Sequence, residues 1–205
     1  METLTLSSPM VIVMVGLPGA GKSFFAEAFA KTFGAALVSQ DKIRWTLFAR
    51  HTYSENENIM VEQVSDLLTS ELFRTGKTFI LDGGYNMRDV RESVASQAKK
   101  SGYNVLTVIV QTDEPTSKHR ATKRDGRKTG DQYKQSMTAE EFDVQAKNYQ
   151  APRIDKNTVV ISGKHTYATQ ARSVLKKMVE VQGIGSRPTA ATRPQPARSR
   201  GPFIQ

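Results

Sequence analysis

One glycine-rich stretch constrains the fold of this chain more than any other. It reads Gly16-Leu17-Pro18-Gly19-Ala20-Gly21-Lys22-Ser23 and has the form G-x-x-x-x-G-K-[ST]. An apolar run over residues 10–15 precedes it, and apolar residues at helical spacing follow it over residues 24–33. Glycines reach backbone angles that are closed to other residues, so successive amides of such a loop point into one concavity where a helix begins. The stretch therefore predicts a strand, a loop and a helix in that order.

A loop of this form predicts a binding site for the triphosphate of ATP or GTP. Lys22 supplies a point charge to the β- and γ-phosphates, and the Ser23 hydroxyl is placed to hold a Mg²⁺ ion that bridges them. The alternative is a glycine turn between a strand and a helix, with no ligand. The predicted ATP-binding residues of the loop are Gly16, Leu17, Pro18, Gly19, Ala20, Gly21, Lys22 and Ser23.

The rest of the chain alternates strand-like and helix-like segments. Further strands are predicted at residues 35–38, 78–82, 105–110 and 159–161, and helices at residues 43–49, 55–75, 87–100, 138–149 and 166–181. Capping-box patterns open two of these helices, at residues 54–57 and 138–141. This alternation is typical of an α/β fold in which helices cover both faces of a parallel sheet.

Composition excludes several kinds of site and location. The 205 residues contain no cysteine, so disulfides, thiolate nucleophiles and cysteine metal sites are excluded. No basic segment precedes the first apolar stretch, and no apolar run approaches the ~18 residues that cross a bilayer. We therefore expect a cytoplasmic protein that makes no contact with a membrane.

The formal net charge of +9 is unevenly distributed along the chain. Residues 183–205 carry four arginines, four prolines and no acidic residue, with few large apolar side chains. Such a segment cannot bury enough apolar surface to offset its ordering entropy. We expect one domain over residues 1–182, followed by a disordered basic tail that either binds nucleic acid or another polyanion, or is simply solvated.

Two aspartates follow predicted strands, where an open parallel sheet binds its ligands. Asp82 ends the third strand and is a candidate Mg²⁺ ligand, directly or through water; the alternative is a turn or helix-cap aspartate. Asp41 follows the second strand and could accept the proton of an acceptor hydroxyl, while Arg44, one helical turn on, could hold the acceptor. Alternatively, Asp41 only complements the dipole of the short helix.

A cationic stretch over residues 118–128 follows the fourth strand. Arg120 and Arg124 are four residues apart, so on a helix they would face the same way. Arg124 and Arg127 flank a predicted bend and could close over the triphosphate, neutralising the charge of the moving phosphoryl group. A closing lid over about residues 112–136 would also exclude water. The alternative is an ordinary exposed basic stretch.

The single tryptophan, Trp45, lies beside Arg44 on the short predicted helix. It could stack on the base or ring of an acceptor, or it could pack in the core or against a neighbouring helix. The three histidines are scattered without metal-ligand spacing, so we expect no histidine metal site.

Taken together, these residues resemble the AAA_33-type phosphate-loop kinases. That group includes polynucleotide 5′-hydroxyl kinases, and the zeta-toxin and chloramphenicol phosphotransferase groups are similar. The resemblance covers roughly residues 10–180. It is carried by the glycine-rich loop, Asp41 and Arg44, Asp82, the arginine-rich stretch and Tyr149-Gln150-Ala151-Pro152.

The resemblance implies a sheet of five strands in the order 2-3-1-4-5 and roles for particular residues. Asp41 would be the general base, Arg44 an acceptor contact, and Arg124 or Arg127 the lid arginine. Such kinases commonly follow the strand-three aspartate with Thr-Asn, whereas this chain has Gly83-Gly84-Tyr85-Asn86. Asn86 either helps line the acceptor site one residue later or caps the next helix.

Other classes of phosphate-loop protein lack support in this sequence. It has no Asn-Lys-x-Asp motif of a GTPase, no Asp-Glu pair after strand three and no Leu-Ser-Gly-Gly-Gln signature. The sequence therefore predicts a kinase that moves the γ-phosphate of ATP·Mg²⁺ to a hydroxyl acceptor, possible acceptors being a nucleic-acid 5′-hydroxyl or a sugar, nucleoside or antibiotic. A module that binds ATP without transferring phosphate is the alternative of another class.

Overall fold

The computed structural model describes residues 8–124 and 132–182. A parallel sheet of five strands forms its centre: β1 (Met10–Val15), β2 (Ala36–Ser39), β3 (Phe79–Asp82), β4 (Asn104–Gln111) and β5 (Thr158–Ser162). The strands lie in the order β2-β3-β1-β4-β5 and all neighbouring pairs are parallel. The predicted fold class and strand order are confirmed.

Seven helices accompany the strands within the described ranges. They are α1 (Lys22–Phe33), α2 (Gln40–Leu47), α3 (Glu55–Phe73), α4 (Arg88–Lys100), α5 (Glu114–Thr122), α6 (Ala139–Lys147) and α7 (Tyr167–Val181). In the same part of the chain, no helix combines the length and the apolar character that crossing a bilayer requires.

The central strand β1 explains why the sheet has helices on both faces. All six of its residues are buried, and alternate side chains enter two separate hydrophobic clusters. Met10, Ile12 and Met14 pack with α1 and α7, whereas the three valines between and after them pack with α3 and α4. Each large apolar side chain buried in this way contributes about 1.5–3 kcal/mol. This packing fixes the end of β1, from which the glycine-rich loop starts.

Helix α2 differs from its predicted bounds because of its cap, and helix α5 was not predicted as a helix. Helix α2 begins at Gln40 rather than residue 43, since the Ser39 hydroxyl caps it by accepting a hydrogen bond from the Lys42 amide. Helix α5 ends at Thr122, so Arg120 lies on the helix and Arg124 lies beyond it. The two arginines therefore do not lie on one helix, which was the condition for them to face the same way.

Only one of the two predicted capping boxes is complete. At the start of α6, Thr138 and Glu141 exchange both hydrogen bonds. At the start of α3, Ser54 accepts a hydrogen bond from the Glu57 amide at 3.4 Å, but the Glu57 carboxylate does not return to Ser54. Instead, the Glu57 carboxylate accepts hydrogen bonds from the Arg44 guanidinium and from the backbone amides of Thr52 and Tyr53. A charged partner therefore outcompetes the local cap.

Candidate active site

The glycine-rich loop (residues 16–23, called the phosphate loop below) is held in a shape that only glycine allows at two points. Gly16 and Gly19 have φ angles of 147° and 76°. A Cβ atom at Gly16 would lie 2.5 Å from the Val110 carbonyl oxygen, and one at Gly19 would lie 2.1 Å from the Ser117 carbonyl oxygen. The loop therefore packs its backbone directly against the end of β4 and against α5.

The Ala20 carbonyl group is fixed by two residues that the sequence analysis did not identify. The Thr112 hydroxyl donates a hydrogen bond of 3.0 Å to the Ala20 oxygen. A Cβ atom at Gly163 would lie only 1.9 Å from that same oxygen. Thr112 and Gly163 each follow the carboxyl end of a strand, β4 and β5 respectively, which is the one sequence signal that could have pointed to them.

Lys22 is folded back onto the phosphate loop. Its ammonium group donates hydrogen bonds to the carbonyl oxygens of Gly16 at 2.7 Å and Leu17 at 2.9 Å. Burial, together with the nearby positive charge of Lys134, lowers the pKa of Lys22 from 10.5 to about 8. Lys22, which the motif assigns to phosphate, is thus hydrogen-bonded to carbonyl groups of the loop, and its surroundings disfavour its charged form.

Asn86 fixes the start of the phosphate loop. Its side-chain oxygen accepts a hydrogen bond from the Gly16 amide and its side-chain nitrogen donates to the Gly16 carbonyl, both at 3.1 Å. The helix-cap alternative for Asn86 is wrong, because Met87 is the N-cap of α4 and α4 has no side-chain cap bond. A contact between Asn86 and an acceptor stays a prediction.

The segment around Gln150 is tied to the same place. One nitrogen of Arg91 donates to the Asn86 carbonyl at 2.7 Å and another donates to the Gln150 carbonyl at 2.8 Å. The Gln150 amide also donates to the Asn86 carbonyl, at 3.2 Å. The Tyr-Gln-Ala-Pro segment that follows α6 therefore braces the turn that holds the phosphate loop.

Asp82 has the surroundings of a magnesium ligand. Only 2% of its surface is exposed, and its Oδ1 atom has no hydrogen-bond partner among residues 8–124 and 132–182. Its negative charge partly offsets the lowering of the Lys22 pKa and contributes to the raised pKa of Lys134. A buried carboxylate oxygen without a partner, together with the Ser23 hydroxyl, is the type of donor set that Mg²⁺ takes.

The described residues contain no cluster of three or more His, Cys, Asp or Glu side chains placed to bind a metal. Mg²⁺ in nucleotide sites usually takes only one or two carboxylates, together with phosphate oxygens and water, so this absence does not bear on a Mg²⁺ site. Ser23 and Asp82 stay the predicted ligands of the ion.

Lys134 links the two parts of the candidate site. Its ammonium group lies 2.9 Å from the Asp41 carboxylate and also donates a hydrogen bond to the Ser23 hydroxyl. Burial lowers the pKa of Lys134, but the carboxylates of Asp41 and Asp82 raise it more, so it lies above its ordinary value. The candidate base is thereby joined to the phosphate loop through one cation.

The sequence analysis did not single out Lys134. It lies within the predicted lid range of residues 112–136, but the prediction there rested on arginines. Its two partners are remote in sequence, Ser23 being 111 residues away. No local pattern marks such a residue.

The Arg44 guanidinium forms a buried ion pair with the Glu57 carboxylate. One guanidinium nitrogen lies 2.6 Å from the Glu57 carboxylate, a second donates to Asn58 at 2.8 Å, and the group lies over the Tyr53 ring at 4.5 Å. The two side chains of the ion pair are 9% and 4% exposed. Arg44 thus joins α2 to α3, and its predicted contact with an acceptor stays a prediction.

The predicted lid arginines are only partly described. Arg120 donates a hydrogen bond of 3.2 Å to the Gly163 carbonyl, beside the phosphate loop. The Arg124 amide donates to the Ser136 hydroxyl at 3.2 Å, and the Arg124 charge lowers the pKa of Lys22. Arg127 lies outside the described residues. The roles predicted for these arginines stay predictions.

The two flanks of the phosphate loop differ in character. A cavity of about 620 Å³ lies on the β4 and β5 side, lined by residues that include Thr112, Lys164 and Gln170. The Gln170 side-chain oxygen is buried and has no hydrogen-bond partner within the described ranges. Asp41 and Asp82 lie on the other flank, after β2 and β3. Residues after β4 and β5 thus line a cavity, whereas the two carboxylates follow β2 and β3.

Replacing Gly163 with alanine tests the packing against the Ala20 carbonyl. Because the added methyl group meets backbone, it must displace the loop, and overpacking of this kind costs about 1–3 kcal/mol. We expect ATP to bind about 5- to 100-fold more weakly, as measured by isothermal titration calorimetry.

Gly34→Ala is the control for that substitution. Within the described part of the chain, Gly34 has no atom within 4 Å of an added Cβ but has a φ of 62°, so alanine there lowers stability without touching the loop. ATP affinity should stay unchanged in Gly34→Ala. An unchanged affinity in Gly163→Ala as well would contradict the account of the loop.

Replacing Arg44 with methionine tests whether the Arg44–Glu57 pair is structural. Removing one partner leaves the other charge buried, which costs about 3–5 kcal/mol. Arg74→Met is the matched control, since the Arg74–Glu71 pair is highly exposed and such pairs contribute less than about 1 kcal/mol. Urea unfolding of both variants should show the difference. Equal stability of the two variants would contradict a structural role for Arg44.

The same pair makes stability depend on pH in a defined window. Burial raises the pKa of Glu57, but hydrogen bonds from Arg44 and Thr52 lower it more, from 4.5 to about 2. The stability that ionised Glu57 contributes is therefore complete above about pH 4.5 and is lost as the pH falls towards 2. The difference in unfolding free energy between wild type and Glu57→Gln should be full at pH 7 and shrink over that window. A difference that does not change with pH would refute this assignment.

Comparisons with known proteins agree with this geometry. A protein of Acanthamoeba polyphaga mimivirus, provisionally named a bifunctional polynucleotide phosphatase/kinase, is 26% identical over 148 residues. The match covers 72% of this chain and 31% of that protein, so this chain spans about a third of that relative's length.

Two solved structures are similar in fold. A gluconokinase from Sinorhizobium meliloti 1021 has a TM-score of 0.59 at 18% identity, over 85% of this chain and 94% of the gluconokinase. The Mycobacterium tuberculosis APS kinase CysC, in complex with AMPPNP and APS, has a TM-score of 0.59 at 17% identity, over 83% of this chain and 98% of the kinase. The chain therefore has the fold of phosphate-loop kinases.

The family assignment rests on the sequence itself. The profile of the AAA_33 family, described as an AAA domain, matches residues 11–152. That range includes the phosphate loop, Asp41, Asp82 and the Tyr-Gln-Ala-Pro segment. The chain belongs to the AAA_33 family.

Proposed function

We propose that this protein transfers the γ-phosphate of ATP to a hydroxyl group of an acceptor. The observation that carries this proposal is the position of Asp41, whose carboxylate is joined through the Lys134 ammonium to Ser23 of the phosphate loop. A carboxylate this close to the phosphate site is suitably placed to act on the acceptor hydroxyl. Membership of the AAA_33 family and the kinase fold support the same reaction.

The phosphate loop holds the triphosphate in this proposal. Its amides and the Lys22 ammonium contact phosphate oxygens, and Lys22 leaves its present carbonyl partners to do so. Ser23 and the Asp82 oxygen that has no partner among the described residues would hold a magnesium ion. The ion neutralises phosphate charge when it is bound.

Asp41 acts as the general base. As the acceptor oxygen forms its bond to the γ-phosphorus, the bond from that phosphorus to the bridging oxygen of ADP breaks. The Asp41 carboxylate takes the proton that the acceptor oxygen loses. Lys134 keeps its ion pair with the Asp41 carboxylate, whereas its bond to the Ser23 hydroxyl is released when that hydroxyl holds the ion.

The two substrates occupy different flanks of the loop. We assign the nucleoside of ATP to the β4 and β5 side, where the cavity of about 620 Å³ and Arg120 lie. The acceptor occupies the β2 and β3 side, beside Asp41. This division gives each substrate its own approach to the γ-phosphate.

A nucleic-acid 5′-hydroxyl is the acceptor that we favour. The mimivirus relative is named for a polynucleotide substrate, and the basic segment 183–205, which lies outside the described residues, is suited to a polyanion. A sugar or other small hydroxyl compound is the second candidate, because the fold is shared with a gluconokinase.

A transfer assay decides between these acceptors. The protein is incubated with γ-³²P-ATP, Mg²⁺ and a 5′-hydroxyl oligonucleotide, and in parallel with pooled nucleosides, sugars and aminoglycosides, with Lys22→Ala as control. We expect label on the oligonucleotide that disappears in the control. Label only in the small-molecule pool would show that the acceptor is a small hydroxyl compound instead of a nucleic acid. No label in either reaction would refute the transfer reaction.

The variant Asp41→Asn tests the proposed base. The amide cannot accept the proton, so the transfer rate should fall about 10²- to 10⁴-fold while ATP still binds. Asp143→Asn is a matched control, because Asp143 is an exposed aspartate that is also paired with a lysine, Lys118. Transfer by Asp41→Asn at the rate of Asp143→Asn would exclude Asp41 as the base.

A further inference from the structure

The single tryptophan of the chain is exposed beside the proposed base. Trp45 keeps 50% of its surface accessible, although an aromatic side chain of this size is usually largely buried. Its ring lies 5.2 Å from the His51 ring and 6.1 Å from the Tyr133 ring, to which it is nearly perpendicular. Trp45 is therefore not buried in the core, whereas the alternative of packing against a neighbouring helix stays open, and half of its surface is accessible to a ligand.

The Trp45 and Tyr133 rings are both connected to Asp41, one through α2 and the other through Lys134. Asp41 and Trp45 are four residues apart on α2 and so share one face of that helix. Tyr133 directly precedes Lys134, whose ammonium group lies 2.9 Å from the Asp41 carboxylate. Trp45 and Tyr133 are therefore connected through neighbouring residues to Asp41, where we propose that the acceptor hydroxyl binds.

The Arg44–Glu57 pair supports the positions of the Trp45 and His51 rings. The Glu57 carboxylate accepts hydrogen bonds from the backbone amides of Thr52 at 2.7 Å and Tyr53 at 3.1 Å. These bonds hold the loop between α2 and α3, and with it His51 against the Trp45 ring. The arrangement is therefore built into the fold.

One lysine lies over the Tyr133 ring. The Lys42 ammonium lies 5.1 Å from the centre of the Tyr133 ring, and its ion pair with Glu27 is part-exposed and so weak enough to be exchanged for another anion. Arg50, next to His51 in sequence, is exposed. Aromatic rings together with nearby cations are typical of sites that bind single strands, where rings stack on bases and cations meet phosphates.

We propose that Trp45 and Tyr133 form a stacking surface for the nucleobase of the terminal nucleotide that carries the accepting 5′-hydroxyl. This inference rests on the proposed function and names its substrate class, a single-stranded 5′ end bearing a base. A base stacked on Trp45 places its own 5′-oxygen on the Asp41 side of the ring, where the proton is accepted.

Because Trp45 is the only tryptophan, its fluorescence reports this site without any label. The full chain is titrated with a 5′-hydroxyl oligothymidylate, and separately with the same strand lacking its 5′-terminal base. We expect strong quenching by the first strand and little by the second. Loss of the stacked base should weaken binding about 5- to 100-fold.

Variants show whether the stacking occurs on Trp45 itself, with affinity measured by fluorescence anisotropy of a dye at the 3′ end. Trp45→Ala should bind the complete strand about 5- to 100-fold more weakly than wild type and should bind the strand without the base equally well. Trp45→Phe should recover most of the lost affinity. Leu47→Ala is the matched control, since Leu47 is an equally exposed apolar residue of α2. Equal binding of both strands by wild type, or unchanged affinity in Trp45→Ala, would overturn the proposal.

These readouts separate the inference from the proposed reaction, because binding is measured without phosphate transfer. Base-dependent quenching without any transfer would retain the stacking surface and reject the kinase reaction. Transfer to an oligonucleotide without base dependence would retain the reaction and reject the stacking surface. Quenching by gluconate or another sugar in place of the oligonucleotide would also overturn the proposal.

Discussion

The rest of the site depends on the close contact between the phosphate loop and the ends of β4 and β5. The loop backbone is so near to the carbonyl groups of Val110 and Ser117 that no side chain fits at Gly16 or Gly19. On the same side, Thr112 and Gly163 fix the Ala20 carbonyl. A loop fixed in this way presents its amides without further ordering, so phosphate binding does not have to offset a large loss of backbone entropy.

The other flank of the loop depends on charges instead of close backbone packing. Lys134 connects Ser23 to Asp41, and the Arg44–Glu57 pair fixes α2 against α3 and the loop between them. Asp41 and Trp45 lie on the helix that is positioned by these two interactions. One flank is thus suited to hold a nucleotide rigidly, and the other offers a carboxylate and aromatic rings to a second substrate.

The sequence predicted those features that depend on neighbouring residues. The strands, most helices and the phosphate loop follow from apolar periodicity, glycine spacing and caps, and the structure has all of them. Of the two hydrogen bonds in the capping box predicted at residues 54–57, one is absent, because the Glu57 carboxylate is bonded to Arg44, 13 residues away in sequence. Lys134, Thr112 and Gly163 were missed for the same reason, since their partners lie far along the chain. Local patterns predict the elements, whereas the contacts between their ends require the fold.

The most direct test of the account is a crystal structure of the full chain with Mg²⁺, a non-hydrolysable ATP analogue and a 5′-hydroxyl oligonucleotide. The account predicts that the 5′-oxygen lies within about 2.6–3.2 Å of the Asp41 carboxylate and faces the γ-phosphate. A 5′-oxygen bound on the β4 and β5 side, or held away from Asp41 while facing the γ-phosphate, would contradict it.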